Sequence, residues 1–301
     1  MVRNINFVSK FKKANIASIV IFFLSIFFIS FKGLNYGIDF KGGTLIELRT
    51  ENSVDASSIR DSLKSMNLGD VNVKKFGKDG DYLIKVEQIK INNKNLIPEI
   101  KKALSENLNS EIDFRRVENV GPKVSSELLE SSVIAITLAL AAMLFYIWIR
   151  FEWQFSLGAI IALFHDVVIT LGVFSILSLE INLSIIAAVL TIVGYSMNDT
   201  VVIYDRIREN LFKFTKIGIS NVANLSINET LARTIITSVT TLLALLSIYI
   251  LGGEILRGFS FAMILGVIIG TYSSIFVASP ILKFLKVSYK TLEKEEEKIV
   301  P

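Results

Sequence analysis

The sequence contains no cysteine and a single histidine in 301 residues. Disulfide bonds, thiolate nucleophiles and zinc-thiolate sites are therefore excluded, and a transition-metal site has almost no imidazole to use. Charge is also scarce, since 20% of the residues are charged and the 32 basic and 28 acidic side chains leave a net charge of +4. So small an excess does not indicate a nucleic-acid surface. We predict no metal, no cofactor and no nucleic-acid partner.

Apolar residues, in contrast, are abundant. They make up 51% of the chain, and the mean hydropathy is +0.54, which does not fit a soluble enzyme. A run of about 20 apolar residues can cross roughly 30 Å of hydrocarbon. Six such runs are predicted, at residues 15–31, 131–149, 155–179, 183–203, 230–251 and 259–282. The first lacks a cleavage-site pattern and is predicted to be an uncleaved anchor.

Basic residues predict the orientation of these spans, because cations are disfavoured on the translocated side. Fourteen Lys and Arg flank the spans on one side, whereas Arg257 stands alone in the short loops of the other. Both termini are therefore predicted to be cytoplasmic. The predicted organisation is residues 1–32 as N-terminus and first span, 33–130 as a periplasmic domain, 131–282 as a five-helix bundle and 283–301 as a charged cytoplasmic tail.

The periplasmic segment predicts a small α+β domain. Apolar alternation and helical spacing give a strand at 44–50, a helix at 54–66, strands at 71–76 and 82–86, a helix at 96–108 and a strand at 112–117. Gly77 and Gly80 favour a hairpin between the two middle strands. The order β-α-β-β-α-β predicts a four-stranded antiparallel sheet with two helices on one face.

Polar side chains inside the spans are the candidate functional residues, because each charge costs at least about 2.5 kcal/mol on insertion scales. His165 and Asp166 lie near the middle of the third span. Asn198 and Asp199 lie in or beside one polar sector of the fourth span, and Arg233 lies at a comparable depth in the fifth. We predict that these five residues form a proton relay.

Each group also has a purely structural interpretation. Asp199 and Arg233 could form a static ion pair that neutralises both charges instead of a titrating pair. His165 and Asp166 could serve only as hydrogen-bonded packing residues. Neither group has the nucleophile of a catalytic triad, so no enzyme is predicted.

Several glycines are predicted to have structural roles in the backbone rather than chemical ones. Small residues recur every four positions in the sixth span and favour close helix packing, with Gly266 and Gly270 among them. The glycine-rich segment at residues 37–43 lacks the Gly-Lys-Ser/Thr ending of a phosphate loop. It is predicted to be a compact backbone connection between the first span and the domain. Pro122 suits the first turn of a helix that leads into the second span.

Five stretches together resemble the SecF family, the smaller half of the bacterial SecDF protein-export factor. They are Tyr36-Gly-Ile-Asp-Phe-Lys-Gly-Gly43, Val120-Gly-Pro122, Arg150-Phe-Glu-Trp153, His165-Asp166 and Gly194-Tyr-Ser-Met-Asn-Asp-Thr-Val-Val-Ile-Tyr-Asp-Arg-Ile-Arg-Glu209. The last stretch, together with the His-Asp pair, is specific to the SecF half. The motif residues predicted to have structural roles are Gly37, Asp39, Gly42, Gly43, Gly121, Pro122, Gly194, Asp205 and Arg206.

The resemblance implies a polytopic α-helical protein of the RND type in the bacterial inner membrane. It implies partnership with SecD, work beside the SecYEG channel, often with YajC, and coupling of proton flow to movement of unfolded preproteins on the outer side. The family's membrane aspartate and its partnering arginine fall on Asp199 and Arg233. Six spans are also half of the twelve in a two-repeat transporter, which favours a second subunit.

Two other functions remain open at this stage. One is half of a proton-driven RND-type exporter of lipids or small molecules, although such proteins usually carry larger external domains and twelve spans in one chain. The other is a scaffold that only stabilises a membrane complex. A scaffold would tolerate a neutral isostere at Asp199, whereas a relay would not.

Overall fold

The structure is a computed structural model that describes residues 5–292 apart from 52, 65, 67, 70, 76, 87–95 and 109. The chain divides into two compact units. The first consists of Met1–Asn35, Ala135–Leu179 and Ser184–Pro301, and the second of Tyr36–Ile134 and Glu180–Leu183. Of the predicted charged tail, residues 293–301 lie outside the described part of the chain.

The helices, in chain order, are α1 (Phe11–Lys32), α2 (Ile38–Lys41), α3 (Ala56–Lys64), α4 (Leu96–Leu108), α5 (Pro122–Arg150), α6 (Trp153–Ile176), α7 (Leu183–Lys213), α8 (Ile219–Leu251), α9 (Gly253–Ser273) and α10 (Ser279–Phe284). The strands are β1 (Asn35–Tyr36), β2 (Gly43–Thr50), β3 (Val71–Lys75), β4 (Asp81–Val86), β5 (Ile112–Val120) and β6 (Glu180–Ile181). A π-helical turn at Ser274–Ala278 joins α9 to α10.

Six apolar stretches of the described chain are long enough to cross a membrane, which confirms the prediction. They are Val8–Lys32, Pro122–Arg150, Trp153–Ile176, Leu183–Lys213, Ile219–Leu251 and Leu256–Phe284. Helices continue past the predicted apolar runs, because charged residues at a helix end can stay solvated without breaking the backbone ladder. The longest extensions are at the start of α8, at the end of α7 and at the start of α5, where Pro122 is the first residue.

Three spans form the interior of the first unit. Within the 18-residue apolar stretch of each span, 61% of the residues are buried in α6, 50% in α7 and 50% in the last span. The corresponding shares are 11% in the first span, 11% in α5 and 17% in α8. The poorly buried helices present broad apolar faces, which in a bilayer meet lipid or the helices of another chain.

The π-helical turn interrupts the sixth span at a proline. Pro280 lies in the first turn of α10 and has no N–H to donate, so the regular ladder cannot continue through it. The Ser279 hydroxyl donates to the Ser274 carbonyl at 2.9 Å. The Tyr204 hydroxyl of α7 donates to the Ala278 carbonyl at 3.0 Å. Side chains therefore satisfy carbonyl groups around this turn, where a regular helix would use N–H groups.

The second unit contains the predicted antiparallel sheet, with strand order β3-β4-β2-β5. Ile46 of β2 lies opposite Ile84 of β4. Both are fully buried in one apolar core with Ile59 of α3 and Leu104 of α4. The two helices thus cover the same face of the sheet, and the predicted β-α-β-β-α-β order is confirmed.

An ion cluster lies at one end of this sheet. The register between β2 and β5 shifts between Glu47 and Leu48, which leaves Arg115 as an extra residue of β5. Arg49 donates two hydrogen bonds to Asp81, at 2.6 and 2.7 Å, and Arg115 lies 3.7 Å from the same carboxylate. The bidentate contact with the Arg49 guanidinium holds the pKa of Asp81 below its usual value.

Candidate functional site

Asp166 is the centre of a hydrogen-bonded group that joins three helices. Its side chain is fully buried, with 0% exposure. Its Oδ1 lies 2.9 Å from Nδ1 of His165, and its Oδ2 accepts hydrogen bonds from Ser196 of α7 at 2.6 Å and Ser273 of α9 at 2.7 Å. Both carboxylate oxygens therefore have partners, the condition under which a polar group is tolerated in a low-dielectric interior.

A ladder of hydroxyl groups continues from Asp166 along α7. The Thr200 hydroxyl donates to the Ser196 carbonyl at 3.2 Å and lies 2.8 Å from the Ser274 hydroxyl of the π-helical turn. One helical turn further along α7, the Tyr204 hydroxyl donates to the carbonyl of Ala278, which belongs to the same π-helical turn as Ser274. All of these side chains are buried. The contact between α7 and the last span is thus polar over two helical turns.

His165 uses one of its two ring nitrogens. Its side chain is 5% exposed, and its Nε2 has no hydrogen-bond partner among the described residues. The Phe22 ring of α1 lies parallel to the imidazole, with the ring centroids 6.3 Å apart. His165 is therefore a buried group with one free nitrogen for a proton or a donor, beside a carboxylate that is already saturated.

Asp199 has the opposite environment from Asp166. It is 3% exposed, yet its Oδ2 accepts no hydrogen bond from the described residues. The hydroxyls of Tyr195, one turn earlier on α7, and of Thr234 on α8 are also buried without a described partner. A buried carboxylate without donors is costly in a membrane interior, so such a group calls for a functional explanation.

The predicted direct pairing of Asp199 with Arg233 is not present. Within the described residues, no Arg233 nitrogen lies within the 4.0 Å that defines an ion pair with this carboxylate. The physical reason is the rotation of the two helices, because Asp199 is turned inward whereas Arg233 is exposed on α8. Asn198, predicted as part of the relay, is exposed on the outer face of α7.

The motif residues Asp205 and Arg206 lie in ion pairs near the end of α7. Asp205 pairs with Arg150 of α5 at 3.0 Å. Arg206 pairs with Glu229 of α8 at 2.6 Å and with Glu209 at 2.5 Å. The pairs with Arg150 and Glu229 join α7 to α5 and α8, so the structure places both residues in helix-to-helix links rather than next to Asp199.

The glycine-rich segment contacts the start of α7. The Gly37 N–H donates to the Ile181 carbonyl at 2.8 Å, and β1 pairs with β6 in a two-stranded sheet. Asp39 Oδ2 accepts a hydrogen bond from the Leu183 N–H at 2.9 Å. Leu183 is the first residue of α7, so Asp39 caps the helix that carries Asp199, and its negative charge suits the N-terminal end of the helix dipole.

The end of the glycine-rich segment requires glycine for close packing. Gly42 ends α2 with a φ of 79°. A Cβ on Gly43, whose φ is +139°, would lie 2.7 Å from the Val86 carbonyl oxygen. Lys85 of β4 forms a salt bridge with Glu180 of β6. The α6–α7 connection is thereby held to the sheet by a charge pair in addition to its backbone contacts.

The glycines of the sixth span face α7. A Cβ on Gly266 would overlap the Ile192 side chain, and one on Gly270 would lie 2.8 Å from the Ser196 Cβ. Gly270 therefore lets α9 approach the residue that bonds to Asp166. Gly194 differs, since nothing lies within 4 Å of its Cβ position, and Gly121, just before α5, is equally open.

Sequence reasoning missed the serines and the threonine that surround Asp166. The sequence patterns do not predict Ser196, Ser273 or Ser274 as partners of a carboxylate. A weak signal was available in the small residues of the sixth span, because a helix that packs closely brings its hydroxyls within bonding distance. No group of three or more His, Asp or Glu among the described residues is arranged to hold a metal.

The six apolar helices, the α+β unit and the buried acids define a multi-pass membrane protein of the SecDF fold. Residues 100–288 match the family described as protein export membrane protein SecD/SecF, C-terminal, and residues 27–54 match the SecD/SecF GG motif. Protein translocase subunit SecF of Rickettsia bellii (strain OSU 85-389) is 48% identical over 275 residues, which are 90% of each chain. The Cereibacter sphaeroides SecF is 45% identical over 264 residues, 85% of this chain and 81% of that one.

The chain belongs to the SecF family, as the sequence motifs predicted. The crystal structure of SecDF from Thermus thermophilus matches 94% of this chain and 38% of its own, with a TM-score of 0.85 and 35% identity. A second crystal structure, of SecDF in a super-membrane-facing form, matches 99% of this chain and 40% of its own, with a TM-score of 0.70 and 34% identity. This chain thus spans about two fifths of those SecDF chains. The family is non-enzymatic, in agreement with the prediction.

Proposed function

We propose that this chain is the SecF subunit of a protein translocase and works with SecD to convert the proton motive force into preprotein movement and release. The observation that carries the proposal is Asp199, a carboxylate that is buried in a membrane span and whose Oδ2 has no hydrogen-bond donor among the described residues. Asp199 can gain or lose a proton without breaking a hydrogen bond of the bundle. Asp166 cannot, because its oxygens hold three partners.

The two acids therefore have different roles in this mechanism. Asp199 is the titrating group, and the exposed Arg233 biases its charge through space. Asp166 holds α6, α7 and the last span together through its hydrogen bonds. When Asp199 gains or loses a proton, α7 therefore moves relative to the fixed contact at Asp166. His165 extends the path, since its free Nε2 offers a second proton position.

The cap at the start of α7 links this chemistry to the external domain. Asp39 and the Gly37 backbone hold the first turn of α7 and the strand before it. A shift or rotation of α7 therefore acts on the glycine-rich segment, which continues directly into β2. At roughly 150 mV one proton supplies about 3.5 kcal/mol, scaled from about 2.3 per 100 mV, enough to bias a two-state change by a few hundredfold.

The outer face of α7 supports a partner that supplies the missing half of the membrane domain. Thr191 and Asn198 are exposed there, and Gly194 leaves an open notch between them. Polar groups on an outward face of a span are unfavourable against lipid and favourable against the small residues of another helix. We assign this face to SecD. The proposal also places both termini in the cytoplasm, residues 33–130 in the periplasm, and the complex beside SecYEG, often with YajC, in the bacterial inner membrane.

The test measures export of a slow preprotein into vesicles with and without a proton gradient. Asp199→Asn keeps the side-chain volume and removes the titrating proton, so stimulation by the gradient is expected to disappear while assembly with SecD persists. Glu209→Gln is the matched control on the same helix, because its carboxylate is 60% exposed. Arg233→Met is expected to weaken the stimulation as well. Full stimulation in Asp199→Asn would exclude the relay and favour a scaffold.

A further inference from the structure

A pocket lies between α1, α6 and the last span in the first unit. Its volume is about 460 Å³, within the range of about 300–1,000 Å³ of small-molecule sites. Three of its ten lining residues are polar, namely Asn15, Ser18 and His165. The rim residues Ile19 and Ile161 are 55% and 42% exposed. Because these helices are membrane spans, the pocket faces hydrocarbon and is filled from the bilayer.

One side of α1 carries charge, amide and hydrocarbon in sequence, and Asn15, Ile19 and Phe22 on this side line the pocket. Lys12, Asn15, Ile19 and Phe22 follow each other at spacings of three or four residues and so share one side of the helix. At 1.5 Å per residue, Asn15 lies about 4.5 Å deeper than Lys12, and Phe22 about 10 Å deeper than Asn15. The Asn15 amide has no hydrogen-bond partner among the described residues, although Ser18 beside it bonds to Tyr272.

Exposed lysines lie within a few residues of lining positions at the start of α1 and in α10. Lys12 and Lys13 are exposed at the start of α1, and Lys283 and Lys286 are exposed just beyond Ile281, a lining residue in α10. Within the described residues, none of these four lysines has a carboxylate within ion-pair distance. Juxtamembrane lysines without acidic partners attract anionic lipid headgroups, by about 1 kcal/mol each.

We propose that this pocket binds one acyl chain of an anionic phospholipid, whose phosphate contacts Lys12 and the lysines beyond α10. The order of groups on α1 matches the order in the lipid: the phosphate at Lys12, the glycerol ester at the Asn15 amide, and the acyl chain along Ile19 and Phe22. A zwitterionic lipid would fill the same pocket but gain less at its mouth, because its headgroup carries no net charge. Neither Asp199 nor Arg233 lines the pocket, whereas His165, the extension of the proposed proton path, does; the test below therefore measures lipid binding and not proton-coupled export.

Native mass spectrometry of the full chain in detergent tests the proposal, with added dioleoylphosphatidylglycerol or dioleoylphosphatidylcholine as the probe. Preferential binding of the phosphatidylglycerol is expected. Lys12→Gln should reduce that preference about five-fold, the factor that corresponds to ~1 kcal/mol per lysine. Ile161→Trp should fill the pocket and abolish the tightest bound lipid. Inorganic phosphate should not compete, because the acyl chain supplies most of the binding.

Matched variants separate this site from the general lipid belt. Ile176→Trp also places a tryptophan on an exposed position of α6, 40% exposed, but away from the pocket, and Lys216→Gln removes an exposed charge in the α7–α8 connection. Both should bind phosphatidylglycerol as the parent chain does. Equal binding of the two lipids, or unchanged binding in Ile161→Trp with an unchanged unfolding temperature, would overturn the proposal. Competition by inorganic phosphate would reduce the site to an anion-binding surface.

Discussion

The hydrogen bonds around Asp166 give a stability prediction with a defined size. Asp166→Ala leaves Nδ1 of His165 and the hydroxyls of Ser196 and Ser273 without their acceptor. Hydrogen bonds between membrane helices contribute about 0.6 kcal/mol on average and up to about 1.7. Loss of the two such bonds, from Ser196 and Ser273, therefore costs roughly 1 to 3.5 kcal/mol, and the lost contact with His165 adds to it. The cavity left by the carboxylate adds to this figure.

Asp166→Asn should be much milder. Its carbonyl oxygen can still accept from both serines, and its amide can donate to His165 in the other tautomer. We expect a loss of about 1 kcal/mol or less, so the two substitutions at one position should differ by at least a factor of two in free energy. Thermal or denaturant unfolding of the full chain in detergent, followed by circular dichroism, measures both.

A double-mutant cycle gives the control for this prediction. Ser273→Ala should destabilise the parent chain but add almost nothing to Asp166→Ala, since the bond it removes is already gone. Ser247→Ala is the matched control, because Ser247 is an exposed serine whose hydroxyl bonds only within α8. Equal stability of Asp166→Ala and the parent chain would refute the role of Asp166 as the link between three helices. So would additive effects of Asp166→Ala and Ser273→Ala.

Three further predictions follow from other contacts. Gly266→Val should destabilise the bundle because its side chain would overlap α7, whereas Gly194→Ala should leave the isolated chain unchanged and weaken only co-purification with SecD. Asp39→Ala removes a helix cap and should lower the free energy of unfolding by about 0.5–2 kcal/mol. It should also reduce gradient-stimulated export, because α7 transmits the movement in the proposed mechanism. Normal export would contradict transmission through α7. In residues 33–130 expressed alone, the free energy of unfolding should fall as the pH drops below about 4, because the folded-state pKa of Asp81 is depressed and protonation removes the stabilisation from its ion pair. Arg49→Met should flatten this pH dependence. An unchanged pH profile in Arg49→Met would show that the pair does not contribute.

The contrast between the two buried acids bears on how the bundle responds to a proton. Asp166 and Asp199 lie at buried positions on adjacent helices, and each would be a candidate from its place in an apolar run. Only their partners distinguish them. Asp166 has three hydrogen bonds to lose, so its protonation would disturb the contacts of α6, α7 and the last span. Asp199 has none from the described residues, and for this reason the proposed mechanism assigns the titrating proton to Asp199.

The sequence by itself determined the class of this protein and its elements. A run of 20 apolar residues can satisfy its backbone in lipid only as a helix, so hydropathy was enough to predict the six spans. Strand alternation and helical spacing are equally local, and they predicted the β-α-β-β-α-β order with strand ends within a few residues of those observed. The motifs around Asp39 and Asp199 identified the family, because they preserve residue types at fixed spacing.

Only the tertiary structure decided which polar groups meet. Ser196 lies 30 residues from Asp166 and Ser273 lies 107 residues from it, and no local pattern relates positions so far apart. The rotation of each helix about its axis is set by packing over its whole length. That rotation turns Asp199 inward and Arg233 outward, so two charges at the same depth do not form the ion pair that depth alone suggested. The hydrogen bonds of a buried acid depend on this rotation, which is a property of the packed bundle and not of any one span.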